Sequence, residues 1–236
     1  MSVKRSHMLS RAYLKQWGDK GGNVEVIDIL KRIGVTTDVV NATVVSYGYE
    51  PEVLKRDLEG EFSKIEALGI PALSKLRYGH KLSDQEKSDT VAFLDMHLHR
   101  GRYADQSEID TPAVLLKTDG TTEEAKLKLA DRLMLSQHMK DLLRLASLGI
   151  ESWPWAVHNT KNLATGDGAV LLWGEAQDDA PSTVSFPLSP EHLLMIGRPL
   201  DARHFDSLNA RLAQKSRRWI VGQVGTLNLD WARTVI

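Results

Sequence analysis

The chain contains no cysteine, which excludes disulfides, thiolate zinc sites and a cysteine nucleophile together. That is compatible with a reducing, cytoplasmic setting. No apolar run approaches the ~18 residues that a membrane span needs, so no membrane partner is expected. The charged opening is not followed by the apolar stretch of a secretory signal and reads as part of the folded protein. An excess of one charge is also missing: 30 Lys plus Arg stand against 31 Asp plus Glu, a formal net of −1. No global field therefore draws the protein toward nucleic acid or anionic lipid. There is no HExxH helix for zinc, no GxGxxG opening a helix and no serine in a nucleophile elbow. Neither a metal nor a cofactor is expected, and spacing alone names no chemistry.

What is present is enough for a substantial core: 236 residues, 42% of them hydrophobic. The opening "KRSHMLSRAYLKQW" (4–17) places Met8, Leu9, Ala12, Tyr13 and Gln16–Trp17 at helical spacing, and Gly18, Gly21 and Gly22 stop it. Packing explains those residues but not His7, which sits beside Arg5. "NVEVIDI" (23–29) alternates like a half-buried strand, and the β-branched 34–49 stretch reads as extended chain or loop. From Pro51 an apolar stripe, Val53 to Leu76, predicts a helix broken at Pro71. Ser83 with Glu86 has capping-box spacing and predicts a second helix to about Tyr103. A third is expected from Thr121 or Thr122 as far as Gly149, after a looser 105–120 connection. From Trp153 come short β-like runs split by Asn, Gly, Asp and Pro, with one more helix in 201–216. The expected fold is α+β: a helical middle packed on a mainly antiparallel sheet, formed largely by the C-terminal half plus an N-terminal strand. With no repeat or linker in view, one domain spanning 1–236 is the simplest division.

Several local motifs have a structural reading beside a functional one. His97 and His99 resemble a metal pair, yet on a helix residues two apart do not face each other. "TGDG" (165–168) is followed by a strand rather than a helix, so it reads as a hairpin turn with Asp167 and Gly168 at unusual backbone angles. A carboxylate at a strand junction is also a place where sites occur. "RLAQKSRRW" (211–219) collects basic residues beside Trp219 and reads as a solvated helix end. Trp153, Trp155 and Trp173 are expected in the core. The closing "TLNLDWARTVI" alternates Leu227, Leu229, Trp231 and Val235 and could pair with a sheet edge, its own or a protein partner's.

His7 with Tyr13–Leu14–Lys15 and Trp17 is followed by Asn41 and Tyr47, then by Leu58–Glu59 and Ile65–Glu66. Arg100, Asp167, the run Pro187–Leu188–Ser189–Pro190, and Asn209 ahead of Arg217 come next. In that order these features resemble domain-of-unknown-function family 4238. This chain departs from the pattern at Met8 and Ser10, where the family has tyrosine and proline. It departs again at His97 in place of glutamine, and at "TGDGA" in place of "TSDNP". The resemblance implies a bacterial or phage-associated protein and a polar set. His7, His97, Arg100 and Asp167 would be catalytic; Arg5, Asn41, Tyr47, Glu59, Glu66 and Asn209 would bind substrate or form a structural network. Histidine moves protons near neutral pH, a carboxylate orients it, and arginine holds an anion such as phosphate. That combination suits metal-independent phosphodiester chemistry on nucleic acid or nucleotides, as in an accessory or conflict-system factor. The alternative is a non-catalytic protein-interaction module in which the same residues are a buried polar network.

Overall fold

In the computed structural model, residues 5–46, 51–139, 142–174 and 180–232 are described. The chain opens with strand β1 (Arg5–His7) and helix α1 (Arg11–Leu14), which a 3-10 turn (Lys15–Trp17) prolongs. Met8, Leu9, Tyr13, Leu14 and Trp17 are all buried to 1% exposure or less, so these residues of the opening are packing, while Ala12 is exposed and Gln16 half-buried. Strands β2 (Asn23–Asp28), β3 (Ile33–Asp38) and β4 (Val44–Ser46) follow.

Helix α2 (Leu58–Arg77) begins at Asp57, whose side chain accepts from Gly60 N at 2.9 Å. It runs through Pro71 rather than breaking there. Proline removes one main-chain hydrogen bond, but Phe62 before it and Leu73 and Leu76 after it all lie in the buried core. Helix α3 (Asp84–Gly101) carries the expected capping box, with Glu86 accepting from Ser83 N at 2.9 Å.

The next segment departs from expectation. Residues 122–127 are not helical; β5 (Thr111–Leu116) and β6 (Thr122–Leu127) form an antiparallel hairpin. The Glu, Ala and Lys of "TEEAKL" favour helix, but a turn with Gly120 at φ 85° and Asp119 accepting from Thr121 N at 2.9 Å reverses the chain. Cross-strand pairing then overrides propensity. Helix α4 (Leu129–Ser136) is short, and Gly149, at φ 65°, ends only a 3-10 turn at Ala146–Leu148.

The C-terminal half supplies β7 (Trp155–Asn159), β8 (Thr165–Gly166), β9 (Leu171–Trp173), β10 (Thr183–Ser189), β11 (His192–Gly197), helices α5 (Ala202–Phe205) and α6 (Leu208–Lys215), and β12 (Trp219–Gly222). One four-stranded sheet runs β7-β11-β10-β9 and another β3-β2-β12-β8; β1 pairs with β4. Every pairing is antiparallel, and the molecule is α+β. "TGDG" is not a hairpin turn: β8 and β9 belong to different sheets, and neither Asp167 nor Gly168 has a positive φ. Trp173 is buried, while Trp153 and Trp155 pack half-buried against the core. The closing segment is no strand either, since Leu229–Ala232 forms a 3-10 turn against β2 and β3; Val235 lies outside the described residues.

Tyr13 joins the two large sheets. Its hydroxyl donates to Pro187 O on β10 at 2.7 Å and so accepts from Thr165 Oγ1 on β8 at 2.7 Å. Its ring stacks on Phe186 at 5.0 Å between centroids. Trp17 donates from Nε1 to Leu163 O at 2.7 Å. The first helical turn is thus a plug between layers.

Candidate functional site

Helices α2 and α3 bring together residues from three distant parts of the chain. Glu66, on α2, accepts from Arg100 Nη1 on α3 at 2.9 Å through one oxygen, and from Ser10 Oγ at 2.9 Å through the other. Arg100 is only 3% exposed, and its guanidinium lies over the Phe62 ring, 4.1 Å from the centroid. Glu66 keeps 25% of its side chain exposed, and hydrogen bonds to both of its oxygens help to offset the burial of the Arg100 charge. Arg100 is thereby committed to a carboxylate of its own protein and acts as a holder of Glu66 rather than an open anion clamp.

Two titratable groups sense that pair. His7 is half-buried on β1, where Nδ1 lies 3.1 Å from Ala42 O. A carbonyl can only accept, so in the neutral ring Nδ1 carries the proton and Nε2 is the basic nitrogen. Burial lowers the His7 pKa, assisted by Arg11 and Arg5 and opposed by the Ala42 carbonyl and Glu66. Glu59 stands seven residues before Glu66, two turns back on the same face of α2. Its Oε2 is buried with no hydrogen-bond partner among the described residues. Burial raises its pKa against the pull of Arg100, and Glu66 and Asp57 add to the rise. Environment therefore pushes His7 toward the neutral base and Glu59 toward the neutral acid, the divergence expected of an acid–base pair. Exposed Arg5 donates to Asn41 Oδ1 at 2.7 Å. Tyr47 lies outside the described residues.

The remaining sequence candidates sit elsewhere. Asp167 is 3% exposed and accepts from three main-chain N–H groups, Arg217 at 2.6 Å, Arg218 at 2.8 Å and Trp219 at 2.7 Å. It fixes the entry to β12. Burial pushes its carboxyl up to about 7, while those three donors pull it down. His97 is enclosed by Tyr13, Phe93 and Phe186 and donates from Nε2 to Gly166 O at 2.8 Å; burial lowers its pKa to about 4. His99 turns toward α4, with Nε2 2.6 Å from Ser136 Oγ, so the two histidines serve different neighbours. Among the described residues no group of three or more His, Asp or Glu is placed to hold a metal. Asn209 accepts from Ala164 N at 2.9 Å and donates to Asn162 O at 2.8 Å, pinning the loop before β8 to α6.

Two buried charges escaped the sequence reading. Asp131 accepts from the main-chain N–H groups of Glu52, Val53, Leu54 and Lys128. The only signal was its capping-box spacing from Lys128. Arg218 is 5% exposed rather than solvated; it donates to Glu108 at 2.6 Å and lies over Trp219.

A family model described as "Protein of unknown function (DUF4238)" matches residues 5–225. No curated protein and no solved structure matches the chain.

Proposed function

We propose, for a chain that belongs to the DUF4238 family, an activity drawn from its own geometry: acid–base cleavage or transfer at a phosphodiester of nucleic acid or nucleotides. The observation that carries it is the pairing of Glu66 with the buried Arg100, in whose field stand both His7 and Glu59, whose buried Oε2 has no hydrogen-bond partner among the described residues. In hydrolysis, His7 Nε2 takes a proton from water as the water oxygen bonds to phosphorus. The bond to the leaving oxygen breaks, and that oxygen receives the proton of Glu59. Glu66 balances the imidazolium as it forms, and Arg100 with Ser10 keeps Glu66 in place. The exposed cations near His7, Arg5 and Arg11, supply attraction for the phosphate. Asp167, His97 and Asn209 act through position, holding β8, β12 and α6 against α3. The test is a panel of single- and double-stranded nucleic acids and cyclic and linear nucleotides, assayed with the native protein, His7→Ala and Glu59→Gln. Turnover lost in both variants, with folding intact, supports the reading; no turnover of any substrate removes it.

A second reading is favoured by the way Glu66 engages Arg100 through one oxygen and Ser10 through the other: a polar network that fixes β1 and α1 on the helices of an interaction module. The two separate on one comparison. A structural network makes Arg100→Met costly to stability, whereas His7→Ala then changes no function.

A further inference from the structure

Strand β7 is an outer strand of its sheet, paired with β11 on one side. At the two ends of that pairing Gly197 N donates to Pro154 O at 2.8 Å and Thr160 N to Glu191 O at 2.8 Å. The register then assigns the residues between. Ala156 and His158 bond to β11, while the main-chain N–H and C=O groups of Trp155, Val157 and Asn159 point the other way. Those outward groups have no hydrogen-bond partner among the described residues. Edge strands are ordinarily blunted by shortness, a lysine, a proline or a bulge. "WAVHN" runs five residues in unbroken register and carries none of these. At the opposite edge of the same sheet β9 has only three residues.

A cavity of about 540 Å³ lies between β7 and the connection from α2 to α3. The consecutive residues Trp155, Ala156 and Val157 all line it, so it runs along the strand's main chain as a groove. Leu76 and Leu82 face Trp155 and Val157 across it and give it an apolar floor. The far wall is fixed at both ends. Gly79 N donates to Leu76 O at 3.0 Å and His80 N to Lys75 O at 3.0 Å, with Gly79 at φ 74°, so a Schellman closure ends α2. Ser83 then caps α3. A groove already formed costs little ordering to fill. Lys81 and Lys87 also line it, and among the described residues neither has an ion-pair partner and no carboxylate shares the lining.

We infer that this groove receives an extended acidic segment of a partner protein, which adds to the sheet as a further strand along β7. The segment's main chain takes the outward groups of Trp155, Val157 and Asn159. One large apolar side chain enters over the floor, and carboxylates of the same segment meet Lys81 and Lys87. A second copy of this chain suits the edge less, because two-fold pairing of β7 would bring two sets of the same lysines to one seam. None of His7, Glu59, Glu66 and Arg100 lines the groove, so the inference stands or falls apart from the acid–base function.

The experiment selects random peptides, displayed on phage, against the full-length protein. Enriched sequences should combine a large apolar residue with Asp or Glu in an alternating pattern. An enriched peptide is then labelled and its binding followed by fluorescence anisotropy. Lys81→Glu/Lys87→Glu should weaken it roughly tenfold or more, through two lost ion pairs and the repulsion that replaces them. Val157→Pro removes one outward donor and leaves the bonds of Ala156 and His158 to β11 in place. It should weaken binding about fivefold, the worth of one hydrogen bond. N-methylation of the peptide at alternate residues should do the same on one of its edges and not on the other. The lysine variant keeps the test decisive where Val157→Pro fails to fold. A selection that enriches no peptide or only basic ones, variants that bind like the native protein, or equal tolerance of methylation on both edges would each overturn the inference. So would light scattering that shows a dimer which Val157→Pro dissociates, since the edge would then belong to a second copy. Peptide binding unchanged in His7→Ala supports the groove as a site of its own, even where the native protein cleaves no phosphodiester.

Discussion

At the residue scale, Glu59 differs from two other polar side chains of the set in what it leaves unused. Asp167 and Asn209 spend their side chains on main-chain partners, whereas Glu59 keeps a buried oxygen without a hydrogen-bond partner among the described residues. Leaving such an atom costs free energy, and chemistry is one reason for keeping it. The two shifts predict a pH–rate profile. The base must be deprotonated and the acid protonated; burial lowers His7 from 6.5 and raises Glu59 from 4.5. The rate should therefore peak on the acid side of neutrality. Glu59→Gln should flatten the alkaline limb, and a rate still rising beyond pH 8 would rule out Glu59 as the acid. His7→Ala should cost roughly 10²-fold or more in rate but only about 1 kcal/mol in stability, the worth of one hydrogen bond to Ala42 O. Urea unfolding beside the activity assay separates the two.

At the element scale, α3 is the piece that carries Arg100 to Glu66, and Gly101 shows how tightly it is set. A Cβ there would lie 2.0 Å from Asp167 O. Glycine to alanine near a helix end ordinarily gains stability; here Gly101→Ala should lose about 1–3 kcal/mol through overpacking. A raised melting temperature would show that the contact yields. Elements whose signal is local were readable in the sequence: the capping box of α3, the apolar stripe of α1 and the alternation of β2. The β5–β6 hairpin was not, because "TEEAKL" has helical propensity and its strand state depends on a partner and a turn outside that window. The site was partly legible for the same reason. His7, Glu66 and Arg100 stand out as ordered polar residues, but that Arg100 would grip Glu66 follows only from how α2 packs on α3. Asp131 and Arg218 gave almost no warning, since Asp131 binds mainly main-chain N–H groups some 80 residues away and Arg218 a carboxylate 110 residues away.

At the scale of the whole molecule, two antiparallel sheets are held together by a few buried polar side chains, which should make stability depend on pH. Tyr13→Phe removes the hydroxyl that spans Thr165 and Pro187; leaving those atoms unsatisfied should cost about 1–3 kcal/mol, readable as a shift in the urea midpoint. His7, lowered, and Glu59, raised, act on stability in opposite senses, so the net pH dependence comes chiefly from three enclosed groups. His97 and His99 have folded pKa values lowered to about 4 and about 3, both chiefly by burial. The unfolded chain takes up those two protons near 6.5 while the native protein does not. Their stabilising contribution is therefore complete above that value and is lost as pH falls toward 4. Asp167 works in the opposite sense. Its carboxyl is pushed up to about 7 by burial, so between its unfolded value near 3.8 and 7 the native state holds a proton that the unfolded state has released, and stability falls as pH rises. Across pH 6 to 4 two groups favour the higher pH and one the lower, a net of about one proton or roughly 1.4 kcal/mol per pH unit. Stability should decline on acidification at about that rate. Asp167→Asn, which removes the opposing group, should steepen the decline toward two protons, and His97→Gln should nearly abolish it. Chemical unfolding at half-unit pH steps measures all three slopes; an Asp167→Asn slope no steeper than the native one would mean that Asp167 stays ionised in the fold, held by its three main-chain donors.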